Sequence, residues 1–201
     1  MNTITYSIGD SLYLNITNRC TNKCSFCIRY KTKLFNSKHE LWLTSEPTTE
    51  EIIESIGDPR KYKEIVFCGY GEPLIRLDEV KKVSKWLKDN GAFVRVDTNG
   101  HANLIHGRNI LPELKGLIDA ISISLNAENN ELYEKICHPD FGAKTFDDII
   151  SFIKEAKKYI PGVEITAVNI PDINIEASKK IADELGVNFR VRTFYEQDYI
   201  R

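Results

Sequence analysis

EIVFCGYGEPLIRLDEVKKVSKWLKDNGAFVRVDTNG, residues Glu64 to Gly100, carries one complete unit of the fold. Glu64 to Cys68 is a short β-rich apolar run that stops at a Gly/Pro turn, Gly69-Tyr-Gly-Glu-Pro73. Leu77 to Asn90 then places Val80, Val83, Trp86 and Leu87 at helical spacing, with Asp78 as the expected N-cap and Asn90-Gly91 as the stop. Ala92 to Asp97 is a second strand, ending at Thr98-Asn99-Gly100. Two strands joined through a helix must run parallel and cross over right-handedly.

The same alternation continues on both sides. Upstream lies a strand at Leu12 to Thr17. Downstream come a strand at Ala120 to Leu125, a helix at Asn129 to Cys137, and a longer helix at Thr145 to Tyr159 with Phe146, Ile149, Ile150, Phe152 and Ile153 on its buried side. Val163 to Asn169 is the fifth strand, Ile175 to Leu185 its helix, stopped by Gly186, and Asn188 to Thr193 the sixth. Six repeats are too few for a closed eight-fold barrel and suit an open partial barrel or a doubly wound sheet. Either way, the site belongs at the carboxyl ends of the strands. The expected organisation is a single domain over 1–201, with its core at about 12–193 and a polar, basic loop insertion at about 30–48. That insertion is long for a connection and is placed either to cover a substrate or to run as a solvated excursion.

Composition bounds the function. The 201 residues carry a formal net charge of −2, which gives no electrostatic reason to expect a nucleic-acid partner. No apolar run approaches the ~18 residues that span a bilayer, and Met1 to Asp10 lacks the basic and apolar regions of a signal peptide, so the expected location is cytoplasmic. Three of the five cysteines fall within eight residues, Cys20-Thr-Asn-Lys-Cys24-Ser-Phe-Cys27. In a reducing compartment clustered thiols read as metal or redox groups. A structural zinc site wants four closed ligands, and no second cysteine pair exists here. Three thiolates leave one position open for chemistry. A non-enzymatic zinc or redox module stays as the alternative of another class.

Cys-x3-Cys-x2-Cys after a first strand, with aromatic Phe26 before the last cysteine, resembles the signature of the radical S-adenosylmethionine (SAM) superfamily. The resemblance covers Leu12 to Thr193. It implies a partial (β/α)6 barrel in which Cys20, Cys24 and Cys27 bind a 4Fe-4S cluster whose fourth iron chelates SAM. It further implies that reductive cleavage of SAM yields a 5′-deoxyadenosyl radical that removes hydrogen from a substrate. Tyr70, Gly71 and Glu72 of Gly69-Tyr-Gly-Glu-Pro73 resemble the family's Gly-Gly-Glu-Pro motif, which meets the SAM ammonium; glycine also serves where backbone approaches a ligand closely. Asp97 and Asn99 resemble the segment that ends the third strand in glycyl-radical activases and deazaguanine synthases. Ser124 and Asn126, preferred over Ser122, resemble the fourth-strand contacts to SAM. Val168 and Asn169 stand where the family lines the adenine. Arg190 and Arg192 share one face of the last strand, and Arg192 would serve SAM's carboxylate.

Leu14-Asn-Ile-Thr-Asn-Arg-Cys20, Leu41-Trp-Leu-Thr-Ser-Glu-Pro47 and Val66-Phe-Cys-Gly-Tyr-Gly-Glu-Pro73 are similar to the small TatD-associated radical SAM proteins. That likeness implies a lyase of queuosine salvage, which would release 7-aminomethyl-7-deazaguanine from queuine. A glycyl-radical activase, a 7-deazapurine-forming synthase and a pterin-type rearrangement are the alternatives. Expected partners are a small-molecule substrate, a 7-deazapurine, and an electron donor such as flavodoxin or ferredoxin, without membrane or nucleic acid; small members often form homodimers. Candidate substrate contacts are Asn15, Asn99, Phe194, Tyr195 and the terminal carboxylate of Arg201, with His39, His101 and His106 as further loop candidates. Cys68 reads as a fourth ligand, a radical relay or a small core residue, and Cys137 as structural.

Overall fold

The computed structural model describes residues 2–32, 34–36 and 38–194. Two short strands, β1 (Thr5–Ile8) and β2 (Ser11–Leu14), open the chain. A two-stranded ribbon, β3 (Leu34–Phe35) and β4 (His39–Glu40), follows within the 30–48 insertion. Then come α1 (Thr49–Ile56), β5 (Glu64–Phe67), α2 (Leu77–Asp89), β6 (Val94–Thr98), α3 (Ala102–His106) and α4 (Leu111–Leu114). The chain continues with β7 (Ala120–Ser124), α5 (Asn130–Cys137), α6 (Thr145–Ala156), β8 (Gly162–Asn169), α7 (Ile175–Leu185) and β9 (Asn188–Thr193).

Seven strands form one sheet in the order β1-β2-β5-β6-β7-β8-β9. The last six are mutually parallel and in sequence order, while β1 adds antiparallel to β2 at the edge. The sheet curls into the expected partial (β/α)6 half-barrel. The antiparallel β1 is an addition to the six-strand reading. Gly9, at φ +57°, and Asp10 are the only residues between the two strands, and a glycine there supplies the left-handed turn that a tight hairpin requires.

Register aligns one apolar row across the sheet, Leu14, Phe67, Val96, Ile121 and Val163, against the helices. Each helix supplies its own apolar stripe to that layer, as Val80, Val83 and Leu87 do for α2 and Ile149, Phe152 and Ile153 for α6. Two expectations about helix ends change. Asp78 is not a cap: a 3-10 turn at Pro73–Arg76, capped by the Glu72 carboxylate on Leu74 N–H, feeds straight into α2. Asp78 and Glu79 instead sit in the first turn, where negative charge complements the helix dipole. The helix expected to reach Tyr159 ends at Ala156, its last carbonyls taken by the turn Lys157 to Ile160.

Among the described residues no helix is long and apolar enough to cross a membrane.

Candidate functional site

The carboxyl ends of β2, β5, β6, β7, β8 and β9 meet at one end of the half-barrel, and the cysteine loop lies across them. Lys23 N–H and Ser25 N–H donate to the carbonyls of Cys137 and Ile136 at 2.9 Å each, and Asp140 N–H donates to Thr21 at 2.9 Å. The loop is thereby docked like a strand on the end of α5. Arg29 folds back over it, donating to the carbonyls of Asn18 at 3.0 Å and Asn22 at 3.1 Å. Phe26 packs against the main core.

Cys20, Cys24 and Cys27 are all free and half-buried. Burial pushes the Cys20 thiol up to about 12 and raises Cys27 as well. Cys24 is lowered, first by a hydrogen bond from the Cys137 thiol, then by a backbone N–H, and further by the guanidinium groups of Arg192 and Arg29. Three soft donors under two cations fit an anionic iron–sulfur cluster. Among the described residues no three His, Cys, Asp or Glu side chains close around a single metal ion. A four-iron cube binds each thiolate at its own iron and needs no such closure.

Gly69-Tyr-Gly-Glu-Pro73 lies directly beneath the loop. A Cβ on Gly71 would stand 2.4 Å from Thr17 O and 2.5 Å from Arg19 O, and one on Gly69 would stand 2.2 Å from Asn15 Oδ1. In this structure Gly71 is therefore required by the passage of the chain into the cysteine loop and Gly69 by the Asn15 side chain, reasons beyond ligand approach. Glu72 is 2% exposed and its carboxylate faces inward. It accepts from Leu74 N–H at 3.0 Å, Thr98 O–H at 2.8 Å and Asn99 N–H at 2.7 Å, and burial pushes it up to about 7 against those donors. It ties the ends of β5 and β6 together, and Glu72 N–H donates to Arg19 O at 2.7 Å, so it fixes the cysteine loop as well. The buried Tyr70 ring packs under the insertion, its hydroxyl donating to Thr32 O at 3.3 Å.

Across the sheet the structure brings Ser124, Asn126, Val168 and Arg192 together. Arg192 donates to Ser124 Oγ at 3.2 Å and to Asn126 Oδ1 at 3.3 Å, while Val168 N–H donates to the same Asn126 oxygen at 3.2 Å. Asn126 holds φ +54°, a left-handed conformation that asparagine tolerates. The Arg192 Nε is buried with no partner among the described residues, and burial lowers the guanidinium's pKa. Among the described residues the groups that accept its hydrogen bonds are neutral, with Asp97 acting on it only through space, so it is a cation suited to an anionic group such as a carboxylate.

The concave face of the sheet is polar. Ser11, Glu64, Arg95, Ser122, Glu164 and Arg190 join in a chain of hydrogen bonds and ion pairs that crosses from β2 to β9. Asp97 pairs with Arg95 and bonds the Cys68 thiol. Burial pushes Cys68 up to about 12 and raises Asp97. Cys68 thus belongs to this polar face and not to the apolar core. A surface hollow of about 280 Å³, lined by Gly100, Asn103, Leu104, Asp148 and Phe152 among others, lies on the helical side and includes no residue of the cysteine loop.

The insertion is packed, not a solvated excursion. Leu41 and Leu43 are 1% and 3% exposed. Phe35 meets Tyr6 edge-on at 5.6 Å, His39 tilts against the same ring, and Trp42 approaches Tyr70. Tyr6 stacks on Tyr13 at 5.2 Å, so this aromatic group covers the concave face beside β1 and β2.

Several expected contacts are corrected. Asn15 is committed to the fold: its amide donates to Thr3 O at 3.0 Å and Leu41 O at 2.7 Å and accepts from Tyr70 N–H at 3.3 Å, which uses both its N–H groups and one of its two acceptor positions. Asn99 is turned to the loop, donating to Thr21 Oγ1 at 3.0 Å and Cys20 Sγ at 3.8 Å. His101 is fully buried between Thr21 and Tyr133, His106 bonds Leu74 O at 2.8 Å, and Phe194 packs against the main core. Tyr195 and Arg201 lie outside the described residues. The sequence reading missed Arg29, Tyr133 and the contact of Cys137 with Cys24. Only Arg29 carried a signal, as a cation two residues past the last cysteine.

A profile of the radical SAM superfamily matches residues 14–185. An uncharacterized protein of Methanocaldococcus jannaschii is 28% identical over 86% of this chain and 52% of its own length. A second protein of that organism, named as a glycyl-radical enzyme activating enzyme, is 30% identical over 90% of this chain and 64% of its own length. The chain thus spans about half to two-thirds of these relatives. A solved structure of TYW1 with a lysine-pyruvate adduct bound superposes with a TM-score of 0.67 at 16% identity, over 94% of this chain and 66% of that one. With the matched region enclosing all three cysteines and four of the six parallel strands, the chain belongs to the radical SAM superfamily, whose members work with a 4Fe-4S cluster and S-adenosylmethionine.

Proposed function

We propose that this enzyme acts on a small, enclosed substrate and that the substrate is queuine, cleaved to 7-aminomethyl-7-deazaguanine. The observation that carries the enclosed-substrate reading is the packed insertion. Phe35, His39, Leu41 and Trp42 roof the concave face over Tyr6, Tyr13 and Tyr70, where an activase would need a broad mouth for a polypeptide. Beneath that roof the wall is polar, lined by the paired Arg95, Asp97, Glu64 and Glu164, with the tyrosines placed to meet a planar ring. The choice of queuine itself rests on the sequence likeness given above.

The cluster and SAM supply, when bound, a 5′-deoxyadenosyl radical. The chain's own part is positional. Cys20, Cys24 and Cys27 would hold three irons, Arg192 with Ser124 and Asn126 would receive the SAM carboxylate, and the Tyr70–Gly71 backbone would line its amino group. Glu72 acts by holding those strand ends in place. The expected route takes a hydrogen atom from the ring carbon adjacent to the one that bears the nitrogen; the ring carbon–nitrogen bond then breaks, leaving a new ring double bond and a nitrogen radical, which one electron from the low-potential reductant and one proton from solvent convert to the amine.

Anaerobic incubation with SAM, a low-potential reductant and a panel of 7-deazapurines tests the reading. 5′-Deoxyadenosine should form with queuine alone, together with the aminomethyl base. If no deazapurine stimulates SAM cleavage, the lyase reading fails. The activase reading, favoured by the name of the M. jannaschii relative, predicts instead a glycyl-radical EPR signal on a partner polypeptide.

A further inference from the structure

Arg29 joins the two ends of the cysteine loop. It follows Cys27 in a 3-10 turn, Ile28–Tyr30, and its backbone N–H bonds the Cys27 sulfur. Its guanidinium reaches back across the loop and brackets Cys20. Nη1 donates to Asn18 O at 3.0 Å and Nη2 to Asn22 O at 3.1 Å, the carbonyls two residues before and two residues after that cysteine. Nη2 also donates to the Tyr30 hydroxyl, and Cζ lies 4.6 Å from the centre of the Tyr30 ring. Nε is buried with no acceptor among the described residues.

The bonding and the charge of this side chain do different things. A guanidinium only donates, so the direction of each bond is fixed. Two nitrogens of one rigid plane hold two separate carbonyls, a geometry that a lysine ammonium does not reproduce. Among the described residues neither carbonyl has another donor. Around Cys24 the loop is tied to α5 through Lys23 and Ser25, whereas around Cys20 its backbone is tied by Glu72 N–H on Arg19 O and by this bracket. The charge is a separate matter. The oxygens that Arg29 bonds are all neutral, so no carboxylate offsets it there. A half-buried cation in such a place favours an anion beside it. Its charge bears on the sulfurs of Cys20, Cys24 and Cys27 alike. Three thiolates on a 4Fe-4S cube form a net anion, which gains one more negative charge on reduction.

We infer that Arg29 is a positioning residue with two separable tasks: its fork fixes the turn around Cys20 before iron is bound, and its charge offsets that of the cluster and raises the cluster's reduction potential. A nearby cation favours whichever state carries the extra electron. The inference rests on the family assignment but not on which substrate is turned over.

Two measurements on Arg29→Met and Arg29→Lys test it. The first is amide hydrogen exchange in the metal-free protein, read at Arg19, Asn22 and Glu72, with Ile65 in β5 as the control for global stability. Arg29→Met should speed exchange at the first three by roughly tenfold and leave Ile65 unchanged, and Arg29→Lys should recover only part of the protection. The second is EPR-monitored redox titration of anaerobically reconstituted, SAM-free protein. Arg29→Met should have a more negative potential than wild type, and Arg29→Lys a potential close to wild type. Unchanged exchange in Arg29→Met overturns the bracket. A potential at or above wild type in Arg29→Met, or one in Arg29→Lys as negative as in Arg29→Met, overturns the role of the charge. If Arg29→Met takes up no iron, its exchange still decides the bracket and the Arg29→Lys potential the charge: a clearly negative shift there overturns the charge role, and a wild-type value upholds it. A wild-type protein that binds no iron overturns the family assignment itself, and is told apart directly by its iron content.

Discussion

The two faces of β6 are held by opposite means. Val94, Val96 and Thr98 turn to the helices, where the layer is apolar and its buried members are 0 to 3% exposed along this strand. Arg95 and Asp97 turn to the concave side, where each is held by partners of opposite charge. One face gains stability by removing carbon from water, in proportion to area. The other holds charges that are tolerable only because they are paired. Stability and chemistry are thereby separated onto two sides of one sheet, and substitutions on the two sides should fail in different ways.

The largest effect belongs to chemistry alone. Cys20→Ala and Cys27→Ala should each abolish iron uptake and SAM cleavage while leaving the denaturant midpoint of the metal-free protein within about 1 kcal/mol of wild type, since neither thiol lies in the main core. A large loss of stability in both would show that the loop is part of the core after all. On the helical face the outcome should be the reverse. Phe67→Ala removes a fully buried ring from the apolar row and should cost roughly 3–5 kcal/mol by urea denaturation.

How far the sequence exposes this division depends on the range of the interactions involved. The helical face was readable because its signal is local: Val80, Val83 and Leu87, or Ile149, Phe152 and Ile153, recur at helical spacing. Gly186 marked its helix end because a left-handed residue, φ +62°, is needed there. The hairpin before β2 was missed although Gly9-Asp10 was a usable turn signal. So was α1, although Thr48 and Glu51 form a capping box that local pattern can reveal. The family motifs drew attention to Arg192 and Asn126, which the structure brings into contact. The site was misread at Asn15, whose partners Leu41 and Tyr70 lie 26 and 55 residues away. The Tyr133–His101–Thr21 chain, spanning 32 and 80 residues, leaves no one-dimensional trace at all.

Acid sensitivity sharpens the comparison, because two buried groups at the strand ends titrate in opposing senses. His101, lowered from 6.5 to about 4 by burial, contributes stability that is present above pH 6.5 and lost as pH falls toward 4. Glu72, raised from 4.5 to about 7 by burial, contributes stability that is present below pH 4.5 and lost as pH rises toward 7. Each is on the order of 3 kcal/mol, so the two largely cancel between pH 4.5 and 6.5. The wild-type stability should therefore be nearly level there. Glu72→Gln should uncover the histidine and lose stability steadily on acidification, as followed by urea midpoints at fixed pH. A level profile in that variant would mean His101 does not carry the burden assigned to it.

Smaller effects test whether the concave chain is uniform. At its centre Arg95 is 12% exposed as a side chain and serves Glu64 at 3.0 Å as well as Asp97. Arg95→Met strands two carboxylates in a partly buried setting and should cost about 1–3 kcal/mol. At its rim Arg190 donates to Glu164 at 2.9 Å with a side chain 44% exposed. The geometry of that pair is as good as at the centre, yet water screens it, and Glu164 keeps the Ser122 hydroxyl at 2.9 Å when the arginine is gone. Arg190→Ala should therefore cost only about 0–1 kcal/mol, and less still in added salt. Distance alone would rank the two arginines equal. A rim substitution as costly as the central one would mean that the chain acts as a cooperative unit, and that the polar face contributes to holding the half-barrel closed as well as to shaping what it can bind.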